Sequence, residues 1–128
     1  MLVSEVNYMK EAYGMLYTLE NSLRIFVRQK MMEEYGVNWF HVAPRLELRR
    51  GPRKDFESLC LHELESVYIR TYESAFYKLP LEFFMRLRDV YPLRNKIAHS
   101  FLLSEEEFST LFQAYHFILS VIKERVPT

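Results

Sequence analysis

An all-α fold is predicted for this chain, and three observations predict it. Only three glycines and five prolines interrupt 128 residues. Leu, Glu, Arg, Met and Ala, all good helix formers, fill the intervals between them. The apolar residues recur at i, i+3 and i+4, the spacing that turns one helical face towards a core. With 49% hydrophobic and 27% charged residues, residues 1–128 form a single domain that can fold unaided and is too short for two separately cored ones. The same composition excludes disorder, collagen-like repeats and low-complexity scaffolding.

The elements follow in order. Residues 4–34 are predicted as the first helix, with Leu16, Leu19, Leu23, Phe26 and Val27 forming an apolar stripe that continues to Met31 before Gly36 offers a stop. Gly14 is its weak point, because an interior glycine costs about 1 kcal/mol relative to alanine and could split off a short leading helix. From Gly36 to Asp55 the periodicity fails. Pro44, Gly51 and Pro52 break any long helix there, and Trp39 and Phe40 can anchor the connection. This long loop is expected either to contain a short helix or to serve a purpose.

A second helix places Leu61, Leu64, Val67, Tyr68, Tyr72, Ala75 and Phe76 on one face and ends before Leu79-Pro80. A third begins near Leu81, turns Phe83, Phe84, Leu87 and Val90 inward, and is expected to kink or restart at Pro92. Ser104 and Glu107 form a capping box ahead of the last helix. Its inner face is read as Phe108, Leu111, Phe112, Tyr115, Leu119 and Ile122, and it runs to about Arg125. Four main helices with mostly short connections imply an antiparallel up-and-down bundle with a long basic loop after the first.

Charge narrows the partners. Seventeen Lys+Arg balance seventeen Asp+Glu, so contact with nucleic acid must come from local clustering and not from global attraction. One cluster exists: between His41 and Lys54 the basic residues Arg45, Arg49, Arg50, Arg53 and Lys54 meet a single acid, Glu47. Such a run can guide an RNA backbone by its phosphates without reading sequence; a solvated surface loop is the alternative.

The single cysteine, Cys60, excludes an internal disulfide and a Cys-based zinc cluster, and fits a reducing, cytoplasmic setting. With no basic neighbour in its own turn it reads as a buried thiol. His41, His62 and His116 share no helical spacing with one another or with His99, so no metal ligand and no cofactor is assigned. Glu105, Glu106 and Glu107 are explained by capping and by the helix dipole. The opening MLVSEVNYMKEAYGML lacks the layout of a signal peptide, and no segment reaches bilayer length, so a membrane partner is not expected.

The strongest chemical candidate is Leu93-Arg94-Asn95-Lys96-Ile97-Ala98-His99-Ser100. Leu93 and Ile97 can face a core while the polar groups cluster elsewhere. Asn95 and His99 are one turn apart on one face; Arg94 is offset by about 140° at the helical 100° per residue and must reach round with its stem. Such a trio suits phosphoryl transfer from RNA, because imidazole moves protons near neutral pH and guanidinium stabilises charge on a pentavalent phosphorus. That chemistry needs no metal. A capped, solvated bundle helix can carry the same spacing, which by itself does not separate the two readings.

The wider pattern resembles the HEPN superfamily of small helical domains. LYTLENSLRIFVRQKMMEEYGVNWF at 16–40 is similar to the family's first long helix and aromatic exit, and PLRNKIAHS at 92–100 is similar to its Arg-x4-His signature. The resemblance implies a metal-independent endoribonuclease in which two copies face each other across a homodimer to complete one site. Arg94, Asn95 and His99 would be its catalytic residues; Lys96 and, from its charge, the Arg45–Lys54 run are expected to contact RNA. It also implies cyclic-phosphate and 5′-hydroxyl products, and a toxin–antitoxin or antiviral-defence setting with an antitoxin or defence-system partner protein. The alternative is a non-catalytic HEPN-like interaction module binding a protein partner or RNA, since the family also contains members that bind without cutting.

Overall fold

The computed structural model describes residues 2–52 and 54–126; it is all-helical, with no strand among these residues. No helix among them is long and apolar enough to cross a membrane. α1 runs as one helix over Leu2–Tyr35. It stops where Gly36 adopts a φ of 86° and donates its N–H to the Met32 carbonyl at 2.9 Å, a left-handed cap that glycine adopts without steric cost. Gly14 does not interrupt α1, and a Cβ there would meet nothing within 4 Å. Gly14→Ala is therefore expected to stabilise the protein by about 0.5–1 kcal/mol, because alanine restricts the unfolded chain without crowding the folded one. A thermal melt shifted downward would contradict that open helical environment.

The chain divides into two compact units, one of Leu23–Leu79 and one of Met1–Ser22 with Pro80–Thr128, and α1 contributes to both. In the Leu23–Leu79 unit the buried core starts from Leu23, Phe26, Val27 and Met31 of α1. The segment read as a long loop contains α2, Trp39–Leu48, with Pro44 inside it. Local pattern hides this helix because it is short and carries a proline. Burial stabilises it: Ala43 and Trp39 are inside, and the indole meets Phe56 and Tyr68 edge-on with centroids 5.0 and 5.7 Å away. Arg49, in the left-handed region with φ 54°, closes the helix by donating its N–H to the Pro44 carbonyl.

The second amphipathic segment also departs from expectation. After a 3-10 turn, Phe56–Ser58, α3 makes one α-turn over Leu61–Glu63 and continues as a π-helix over Leu64–Ile69. Turns then replace the helix expected towards Phe76. The wider i→i+5 pitch, seen in Arg70 N–H donating to the Glu65 carbonyl at 2.9 Å, changes which residues face inward. Val67, expected on the inner face, is exposed, while Glu65 is buried and ion-paired with Arg70. Leu64, Tyr68, Ile69, Tyr72 and Phe76 remain in the core.

In the other unit α4 (Leu81–Ala98) packs on α5 (Glu105–Arg125). α4 passes through Pro92 without restarting; the pyrrolidine is exposed, so its ring displaces no core side chain. Phe83, Leu87, Val90 and Leu93 form its buried stripe. α5 begins on the expected capping box: Ser104 Oγ accepts from Glu107 N–H at 3.1 Å, and Glu107 Oε1 accepts from Ser104 N–H at 2.9 Å. Its buried face is Leu111, Ala114, Ile118, Val121 and Ile122, whereas Phe112, expected inside, is exposed. Phe108 stacks on Tyr8 of α1 with centroids 4.6 Å apart, and the Tyr8 hydroxyl donates to the Ser104 carbonyl at 3.0 Å.

Candidate functional site

The end of α4 presents the Arg-Asn-Lys-…-His group. Leu93 is buried and Ile97 half-buried, so the apolar spacing anchors this turn as expected. Asn95 and His99 are exposed, and the His99 N–H donates to the Asn95 carbonyl at 3.1 Å, which fixes the two residues one turn apart. Just beyond, Ser100 N–H donates to Ile97 and Phe101 N–H to Lys96, at 3.1 and 2.8 Å. This is a Schellman closure with Ser100 at φ 62°, the left-handed position where glycine is favoured. The closure ends the helix directly after His99 and leaves the imidazole exposed at the helix terminus.

Arg94 and Lys96 are engaged differently. Arg94 Nε donates to Glu20 Oε1 of α1 at 3.4 Å, with both side chains about a quarter exposed, at 31% and 22%. Lys96 pairs with Glu107 in the first turn of α5. The Lys96 ammonium, followed by the Ser104 backbone N–H, holds the Glu107 carboxyl below its ordinary value of 4.5. A carboxyl depressed in the folded state stabilises the fold above its unfolded value, and that contribution is lost as pH falls through the lower folded value. Wild-type Tm is therefore expected to fall as pH drops below the ordinary carboxylate range, and Glu107→Gln to show a shallower fall. Parallel profiles for the two proteins would remove this linkage.

The basic run lies in the Leu23–Leu79 unit. Arg45, Arg49 and Arg50 are exposed on α2 and its C-terminal turn. Arg53 lies outside the described residues. Lys54 is ion-paired with Glu63. Arg50 and Lys54 rim a cavity of about 280 Å³ whose walls include Leu48, Tyr68 and Tyr72. Burial raises the hydroxyls of both tyrosines, and for Tyr72 the positive charge of Arg50 opposes that rise. The cavity therefore joins Arg50 and the Lys54–Glu63 ion pair to an aromatic, largely apolar lining.

A third grouping was not legible from helical spacing. Cys60 is half-buried at the start of α3, and its Sγ lies 3.2 Å from Nδ1 of His62 and 3.2 Å from Oε1 of Glu63. The thiol expected to be buried is half-buried. Glu63 also accepts from the Cys60 backbone N–H at 3.2 Å and from Lys54, and these bonds, Lys54 first, hold its carboxyl down to about 2. The signal available in the sequence was Cys-x-His-Glu at a helix start, where residues two and three apart still converge on the cap.

Fold and site together define an all-helical protein with an accessible histidine–asparagine pair at one helix end and a neighbouring arginine. Comparison with protein-family models, with curated proteins and with solved structures finds no match.

Proposed function

We propose that this chain is a metal-independent endoribonuclease with a HEPN-like helical fold. The observation that carries this reading is the exposed His99 at the Schellman end of α4, one turn from exposed Asn95 and five residues from Arg94. His99 takes the 2′-hydroxyl proton as that oxygen attacks phosphorus. The bond to the 5′-oxygen breaks, that oxygen takes a proton from an imidazolium or from water, and the products carry a cyclic phosphate and a 5′-hydroxyl. Arg94 balances charge on the phosphoryl oxygens and Asn95 orients the phosphate or the imidazole.

A homodimer related by a two-fold axis would let Arg94 of one copy and His99 of the other meet at one phosphate, which removes the angular offset between them on a single helix. Arg45, Arg49, Arg50, Arg53, Lys54 and Lys96 would track the RNA backbone. A toxin or antiviral-defence role with a cytoplasmic protein partner fits such an activity. The test is incubation of the purified chain with RNA in excess chelator, followed by analysis of the new ends. Cyclic-phosphate and 5′-hydroxyl ends support the reading, and intact RNA defeats it.

A second reading, a non-catalytic interaction module, is favoured by one observation. Arg94 is held by Glu20, and a guanidinium committed to a carboxylate serves packing as readily as phosphate binding.

A further inference from the structure

We propose that Cys60, His62 and Glu63 form a zinc-binding site, independent of the ribonuclease reading. Their donor atoms all lie within 4.8 Å of one another. Zinc bonds of about 2.3 Å to sulfur, about 2.0–2.1 Å to nitrogen and about 2.0–2.2 Å to oxygen set neighbouring donors of a tetrahedral site about 3.3–3.6 Å apart. Here Sγ to Nδ1 and Sγ to Oε1 are each 3.2 Å, close to that spacing on two of the three edges. One thiolate, one imidazole and one carboxylate make a borderline donor set that suits zinc better than calcium or magnesium.

The arrangement is a chelate and not a catalytic triad. In a triad the carboxylate orients the histidine, leaving the histidine to activate the nucleophile. Here Glu63 Oε1 faces the sulfur itself, at 3.2 Å. In the metal-free chain the thiol proton bridges the two groups. A divalent cation replaces that proton: zinc gains a bond to Sγ, the S–H bond breaks, and one proton passes to solvent. Lys54 bonds Glu63 through Oε2, which orients the carboxylate and leaves Oε1 towards the sulfur, as outer partners of metal ligands do. Exposed His62 leaves the fourth position open to water or to a partner's ligand.

The experiment uses the full chain, reduced and stripped with chelator, titrated with cobalt(II) as a spectroscopic substitute for zinc. A thiolate-to-cobalt charge-transfer band should saturate at a single equivalent and disappear when zinc is added. Cys60→Ser should lose the band while keeping its helical circular dichroism, since serine is a favoured N-cap residue. His62→Ala and Glu63→Gln should each weaken cobalt binding by at least about tenfold, because loss of a ligand costs no less than loss of an outer partner. Absence of the band in the wild type, or wild-type affinity in either His62→Ala or Glu63→Gln, overturns the site.

Discussion

RNA cleavage by the chain in excess chelator is expected to fall by about 10²–10⁴-fold when His99 is replaced by alanine, the range a positioned general acid–base supplies. The His99 side chain is exposed at the C-cap of α4, so its removal opens no cavity and the folded fraction should not change. Arg94→Ala is expected to cost about 10²–10³-fold through lost charge stabilisation. Because Arg94 is also paired with Glu20, Glu20→Gln serves as the control: it breaks the ion pair and leaves the guanidinium in place. Cleavage retained in Glu20→Gln and lost in Arg94→Ala assigns the arginine to phosphate; equal loss in both assigns it to packing. Mixing His99→Ala with Arg94→Ala protein should restore cleavage, since a mixed dimer keeps one composite site with both groups. No recovery on mixing removes the shared site.

Phe26→Ala is expected to destabilise the protein by about 3–5 kcal/mol, the cost of a large buried cavity. Phe26 is 1% exposed, and its ring lies 5.9 Å from that of Phe76. The loss approaches the whole stability of a small domain, which is about 5–15 kcal/mol. Urea denaturation followed by circular dichroism measures it. A change under about 1 kcal/mol would mean that the Leu23–Leu79 unit collapses around the missing ring and is not packed as described.

The sequence was most legible where structure is made by neighbours in the chain. α1, its glycine cap at Gly36 and the Ser104–Glu107 box each depend on residues within a turn or two, so periodicity and cap chemistry find them. The polar group Arg94, Asn95, His99 was visible for the same reason, as was its anchoring by Leu93. The inner face of α5 was read less well: Phe112 shares the pattern of the stripe yet points outward, because periodicity marks an apolar face only to within about one residue.

By itself the sequence determined that this chain is helical, where its longest helices cap, and which residue types stand together at the end of α4. Tertiary structure alone decided that Trp39 would carry a helix across Pro44, that α3 would widen into a π-helix, and that Arg94 would meet Glu20 across 74 positions of chain. The physical reason is the same in each case. Propensity and spacing act over a few residues and a few tenths of a kcal/mol, whereas burial of an indole, or pairing of a half-buried guanidinium, draws on partners that only the folded chain brings near.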